Sequence, residues 1–563
     1  MRRIEKTAAA PVFRRLSRFS PQIMFLLTVI LSVFTTYYVS CHYIDSDASS
    51  ELVLAHQLSQ TGQILSKDWL YSTELRVLNT QLIYAPLFLL FDEWHLVRFS
   101  GALILQAILV LSYGFLFHEM ALPKRTFYLS ASLLLLPVSV CYGRIVLYHC
   151  YYIPHIALSF LLLGLILGFP AGPDRRSVKA CLRLLLLLGL SFLGGLGGVR
   201  QLMITHAPIL LSILVFCLLE DSRQSDETCT PALLSKDKLS LLLVSVAAAV
   251  ASFAGLVINV AVLRKVYTIG ADQSTITLGF LDAASLDDLL YGFFHQFGFR
   301  TDVKMISLSG LLSIGSIFTG AYILILSVKK VLAYQKGDDV RQAVFYAFFL
   351  FHTAVMLVVF LISGKSQDYY FPLYLSLCYP WSIALFLANW KALPEKLHPF
   401  HAKKLFAWVS ILVLLLSGGA NFAYFHGSTA FSQVYEGLHL PQRDKKELLT
   451  ELASYLCEND YEIGYATFRE GNILTEMTDG NIQIINIECD VNQSGNLSYY
   501  NWLTSLWLRE VPNQKPFLVL DAYYKPYFEE SDSYPYCTLI YENCYCCAYA
   551  ITDLEQFIPT LYY

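Results

Sequence analysis

Charge is what this sequence has least of. Only 15% of its 563 residues are Asp, Glu, Lys or Arg, against 55% hydrophobic ones, and mean hydropathy is +0.49. A soluble globular chain carries closer to about a quarter charged residues, so a soluble enzyme or adaptor is excluded. The near-neutral balance of -4 gives no basic footprint, and no nucleic-acid partner is expected. A phosphate-cradling P-loop and a dinucleotide fingerprint are both missing, which removes the common nucleotide-dependent classes. No small-residue cleavage site follows the first apolar run, which ends "TTYYVSCHYID", so that run is read as an uncleaved span. Nor is there an internal repeat of the kind that builds many transporters.

What is present is a series of apolar runs. Candidate spans are 23–40, 97–117, 127–142, 151–169, 184–199, 202–219, 239–263, 306–327, 342–362, 371–389 and 405–424, each about the length that crosses a ~30 Å hydrocarbon core. "QLIYAPLFLLF" (81–91), with Pro86, is too short to cross and is placed as an interfacial or re-entrant piece. The basic N-terminus 1–22 and the basic loops "LPKRT", "PDRRSVKACLR" and "VKKVLAYQKGDDVR" fall on one side, which the positive-inside rule makes cytoplasmic. The expected plan is a cytoplasmic 1–22, a membrane domain over 23–424 of about eleven helices, and an extracytoplasmic domain over 425–563. The outer loop 41–96 lies on the same side as that last domain.

The polar residues left on the outer side include acids and bases together. "IDSDASSELVLAHQLSQTG" (44–62) carries Asp45, Asp47 and Glu51. Ala48, Leu52, Ala55 and Leu58 recur at helical spacing, which predicts an amphipathic helix along the membrane surface. Asp47 and Glu51 lie one turn apart. Asp45 or Asp47 also suits an N-cap, and Glu51 a solvated position. Arg200 follows "LGGLGG", which permits close backbone approach or a break and equally suits a helix-packing seam. Lys365, in "SGKSQDYY", and Arg98 complete the outer cations; a snorkelling lysine is the plainer reading of Lys365. A carboxylate able to deprotonate a hydroxyl, beside cations able to hold a phosphate, is what transfer from a lipid-phosphate donor needs.

On these residues the sequence resembles the GT-C glycosyltransferases, polytopic enzymes that use polyprenyl-phosphate sugars. It is similar more narrowly to the bacterial dolichyl-phosphate-mannose-mannosyltransferase-like and RgtA/B/C/D-like families, which include aminoarabinose transferases. The residues that carry the resemblance are, in order, Asp47, Ala55, Gly62, Pro86, Glu93, Arg98 and Ser100. It implies that Asp47 takes the catalytic-base position, with Asp45, Glu51 and His149 as supporting acids or relay, and Arg200, Lys365 and Arg98 as ligands of the donor phosphate. Two positions depart from the family pattern. Ala48 stands where a Glu commonly follows the aspartate, and His149 stands near the place of a second Asp. No cofactor is implied with certainty, and a divalent metal is left open.

The final segment predicts a helix over 443–458 and strands over 462–468, 482–488 and 516–524, a small α/β domain suited to acceptor recognition or to covering the cavity. Six of the 13 cysteines lie there; an external setting permits disulfides. The expectation is a multi-pass transferase of a bacterial plasma membrane. Its partners are the bilayer, a polyprenyl-phosphate sugar and an envelope glycan, lipid or protein acceptor. The alternatives are a flippase of a lipid-linked saccharide and a non-catalytic envelope protein on the same scaffold.

Overall fold

The structure is a computed structural model that describes residues 9–170, 177–221, 236–270, 283–333, 340–363, 376–388, 402–427, 433–435, 438–440, 442–511 and 514–561. In chain order the membrane region runs α1 (Ala9–His42), α2 (Ser46–Thr61), strand β1 (Trp69–Leu70), α3 (Gln81–Leu87), α4 (Trp94–Glu119), α5 (Lys124–Leu135), α6 (Val140–Arg144) and α7 (Ile153–Leu167). It continues with α8 (Val178–Gly197), α9 (Ala207–Asp221), α10 (Lys236–Ala261), α11 (Ala283–His295), α12 (Leu308–Leu332), α13 (Val340–Ser363), α14 (Tyr379–Ala388) and α15 (Ala402–Phe425). Among the described residues seven helices are long and apolar enough to cross a bilayer, and α7 and Leu202–Phe216 are shorter apolar helices. The chain is a multi-pass membrane protein. The expected span at 371–389 begins outside the described residues; its described part is 376–388.

The expected straight span at 127–142 is broken. α5 stops at Leu135, and Leu136 is extended with ψ 130°. Leu136 precedes Pro137, whose ring disfavours a helical conformation in the residue before it. The chain restarts at Ser139, whose hydroxyl accepts from the Tyr142 N–H at 3.1 Å. The axis turns by 94° between Lys124–Leu135 and Val140–His149. α6 then widens into a π turn, Ile145–His149, a form that inserts an extra residue and re-aims the side chains that follow.

α2 also differs from expectation. Ala48, Leu52, Ala55 and Leu58 do share a face and all are buried, but that face meets protein instead of lying on the membrane. Ala48, Leu52 and Ala55 join the main apolar core with Tyr84 and Trp94, and Leu58 packs with Trp69 and Leu503. Ser49, Ser50 and Glu51 are buried too, so α2 is clasped between the bundle and the C-terminal domain.

The glycine run serves both uses its sequence allowed. A Cβ on Gly195 would sit 1.8 Å from the Ser252 carbonyl oxygen, and one on Gly255 would sit 2.2 Å from that of Phe192, so α8 and α10 pack backbone to backbone. Gly198, at φ 149°, then breaks the helix. Gly195→Ala is expected to cost about 1–3 kcal/mol by overpacking, read as a lower Tm in detergent. Gly189→Ala, on the same helix with open space around it, is expected to be neutral or to stabilise by about 0.5–1 kcal/mol.

Beyond α15 come a short hairpin, β2 (Gln433–Tyr435) and β3 (Leu438–Leu440), and α16 (Gln442–Glu458). The domain proper holds β4 (Ile463–Thr467), α17 (Phe468–Met477), β5 (Gln483–Asp490), β6 (Asn496–Tyr499), β7 (Thr504–Ser505), β8 (Phe517–Asp521), β9 (Cys537–Glu542) and β10 (Cys546–Ile551). Its six-stranded sheet has the order β6-β5-β4-β8-β10-β9, with β5, β4 and β8 parallel at the centre. Side chains alternate across the sheet. Phe517 and Val519 pack under α16 and α17 with Leu452 and Leu474, while Leu518 and Leu520 face Phe528 and Phe557. Adjacent Cys546 and Cys547 therefore point to opposite faces, and the described cysteines are free thiols.

Candidate functional site

The end of the bundle that meets this domain gathers the charges. α2 starts at Asp45, which is extended, and whose carboxylate accepts from the Ala48 N–H at 3.0 Å. Its other oxygen lies 3.2 Å from His149 Nε2, delivered there by the π turn. Burial opposes charge on Asp45, but the His149 ring and the Ala48 N–H outweigh it and hold the carboxyl well below the usual carboxylate range. The His149 ring stacks on Tyr151, with centroids 5.2 Å apart. Asp47 sits in the first turn of α2, half-buried, where the helix N-terminus favours a negative charge.

Glu51, one turn on, is buried and fully engaged. It accepts from Thr80 Oγ1 at 2.6 Å and Gln81 Nε2 at 2.5 Å, and it pairs with Arg76 Nη2 at 2.7 Å. A solvated position for Glu51 is thereby corrected: its carboxylate clamps α2 to the loop before α3. From there an alternating chain of charges crosses the site. Arg76 lies 3.4 Å from Glu74, and Glu74 lies 3.0 Å from His155 Nε2 and 3.4 Å from Arg200 Nη2. Arg200 also lies over the Tyr152 ring at 5.6 Å. Its side chain, 24% exposed, is the most open of the three basic side chains around Glu74. The glycine break lets this contact form: the Leu75 N–H donates to Gly197 O at 3.0 Å, which brings the Glu74 loop against the turn that carries Arg200.

Glu74 titrates in step with this network. Burial opposes its charge, and Arg200, His155 and Arg76 more than offset burial, so its carboxyl is held well below the glutamate range. A depressed carboxyl stabilises in full above the ordinary value of about 4.3 and loses that contribution as the pH falls below it. Glu74→Gln is therefore expected to lower Tm most near neutral pH. The gap to wild type should narrow as the pH falls below about 4, checked by thermal unfolding across a pH series.

Arg98 is buried in the first turns of α4 and forms a two-pronged pair with Glu476 of α17, one prong at 2.8 Å from Nε to Oε1. Its guanidinium also lies 4.8 Å from the Tyr148 ring centroid. The same Glu476 accepts from Ser49 Oγ at 2.6 Å, and Asp479 accepts the Trp94 N–H at 2.8 Å, capping α4 from the other domain. Arg98 thus holds the domains together; a phosphate would have to compete with Glu476 for it. Lys365 lies outside the described residues. Among those described, no three His, Cys, Asp or Glu side chains gather as a metal-ligand set.

The structure thus brings Asp45, Asp47, Glu51, His149 and Arg200 around one helix start and one ion-pair chain. Sequence reasoning missed Glu74, Arg76, His155 and Glu476. The first two carried a signal, as charges in a short outer loop of a chain with few charges. Glu476 carried none.

Comparison with protein-family profiles finds no match, and neither does comparison with curated proteins. Among solved structures the chain is similar to ArnT from Cupriavidus metallidurans bound to undecaprenyl phosphate. Identity is 10%, the TM-score is 0.50, and the match covers 96% of this chain and 99% of that one. ArnT from the same organism in the apo state matches at 11% identity and TM-score 0.48, over 93% and 97% of the two chains. The Archaeoglobus fulgidus oligosaccharyltransferase, in complex with Zn and sulfate, matches at 14% identity and TM-score 0.47, over 94% and 74%. At this identity the likeness to the first of these concerns the fold. The chain has a GT-C-like fold: a polytopic helical bundle with a small C-terminal sheet domain.

Proposed function

We propose that this protein is a membrane glycosyltransferase that moves a sugar from a polyprenyl-phosphate donor to an acceptor hydroxyl. The work would take place on the outer face of the plasma membrane, with the N-terminus cytoplasmic and the C-terminal domain outside. The observation that carries the reading is the chain of ion pairs Glu51–Arg76–Glu74–Arg200 at the end of a GT-C-like bundle, with Asp47 one turn before Glu51 on α2. The likeness to a fold seen with undecaprenyl phosphate bound supports the donor class.

In this reading the Asp47 carboxylate takes the proton of the acceptor hydroxyl as its oxygen attacks the anomeric carbon. The bond from that carbon to the phosphate oxygen breaks, and lipid phosphate leaves. Arg200, with Lys365, offsets the charge that grows on the departing phosphate. Arg200 suits the task because its neighbours Glu74 and Tyr152 hold the guanidinium in place before the donor arrives. Glu51 and Asp45 act one step back, fixing the helix that presents Asp47. The test is to incubate the purified protein with labelled polyprenyl-phosphate sugars and candidate envelope acceptors. Label in the acceptor is expected; no transfer from any donor by folded protein overturns the reading.

A further inference from the structure

A second feature faces the same side and has no part in this chemistry. Between α2 and the C-terminal domain lies a cleft of about 250 Å³. α2 supplies His56 and Gln60, one turn apart; the domain supplies Asn472, Gln483 and Trp507; Trp94, at the start of α4, closes one end. The His56 ring packs on Trp94 with centroids 4.9 Å apart. Gly480, at φ 84°, borders that end, and a Cβ there would come 3.0 Å from the Trp94 ring. Trp507 stands at the rim, 39% exposed.

The chemistry of this lining is selective. Its one acid is Asp68, and it holds no Lys or Arg, so a phosphate, sulfate or uronate has nothing to pair with. Four side-chain amides and three hydroxyls share the walls with about as much apolar surface, and against an acyl chain an open amide would lose its water with nothing in exchange. Gln57 spends its amide on Ser66 and Ser505 and Asn472 donates to Leu503 O, but Gln60 and Gln483 offer an amide donor and acceptor, the pattern that a ring of hydroxyl groups needs. The Trp507 indole, 39% exposed, offers a flat apolar face for the C–H side of such a ring.

We infer that the cleft is a subsite for a neutral saccharide, the portion of the acceptor that lies beyond the hydroxyl to be glycosylated. Only the word acceptor rests on the transferase reading; saccharide binding does not. Helical rise fixes the span. His56 and Gln60 lie nine and 13 residues after Asp47 on the same helix, ~14–20 Å at 1.5 Å per residue. An acceptor that fills both places therefore carries several sugar units and not one.

The full-length protein in nanodiscs is titrated with neutral trisaccharides (chitotriose, maltotriose, mannotriose) and with trigalacturonate. A parallel arm uses vesicles that carry a neutral glycolipid with an oligosaccharide headgroup. Binding of a neutral probe and none of trigalacturonate is expected. Trp507→Ala and Gln60→Ala, both exposed side chains, should each weaken it about tenfold, as truncation of a contact in a recognition hot spot does. Response to the glycolipid alone marks a lipid-borne headgroup, and response to free trisaccharides marks a glycan chain. Absence of binding in both arms overturns the inference, as does binding that neither variant weakens. Transfer that proceeds with an acceptor KM unmoved by both variants removes the subsite and leaves the transferase. Cleft-dependent binding without any transfer does the reverse.

Discussion

Asp47→Asn is expected to lower turnover by about a hundred- to ten-thousand-fold, the share that a positioned general base commonly contributes. Tm and donor binding should change little. The amide keeps the size and most of the hydrogen bonding of the carboxylate, but it cannot take the acceptor proton. Asp47 occupies the first turn of a helix held on both sides, by Glu51 on Arg76 at 2.7 Å and by Ser49 on Glu476 at 2.6 Å, so the substitution leaves the scaffold in place. The matching control is Asp45→Asn. That residue caps α2 and lies 3.2 Å from His149; Asn caps a helix about as well as Asp, so what the variant loses is the carboxylate's interaction with His149. Its variant should unfold at lower temperature and keep most turnover per folded molecule. Single-turnover transfer with a labelled donor, beside thermal unfolding, separates the two. A loss of turnover in Asp45→Asn and not in Asp47→Asn would reassign the base.

The second large effect falls on stability. Arg98→Ala is expected to destabilise the protein by about 3–5 kcal/mol, because it strands a partner of a buried pair. The pair is one of several threads between the domains. The Asp479 carboxylate caps α4 through the Trp94 N–H, Lys446 Nζ donates to Cys41 O at 2.5 Å, and β1 pairs with β7. Loss of the central pair should therefore loosen the C-terminal domain first. Limited proteolysis should release a C-terminal fragment sooner than in wild type, and Tm should fall. Arg98→Met with Glu476→Leu removes both charges and should recover most of the loss. If Arg98→Ala instead leaves Tm and proteolysis unchanged, the pair does not hold the domains together.

Local pattern made much of this molecule legible. Apolar runs of membrane length marked the bundle, because a bilayer demands ~20 apolar residues per crossing. The runs "EIGYATF" and "PFLVLDAYY" became β4 and β8, since strands buried on both faces read as near-continuous apolar sequence. The short Pro86 segment became a seven-residue helix followed by exposed Leu89 and Leu90. Pro137 was just as visible, yet the 127–142 segment reads as one span by hydropathy. A hydropathy window averages over the single residue that turns the axis.

The sequence by itself determined the class, the apolar helices and the acidic start of α2, each a property of residues adjacent in the chain. The partners of those acids were decided only by the tertiary structure. The family resemblance singled out Asp47 among the three acids; folding gave Asp45 to His149, gave Glu51 to Arg76, and placed Asp47 half-buried in the first turn of α2. Glu476 meets Arg98 across 378 positions of chain. The reason is physical: in a low-dielectric interior a charge must find its counter-charge within a few ångströms, and which residue lies that near is a property of packing, to which separation along the chain is blind.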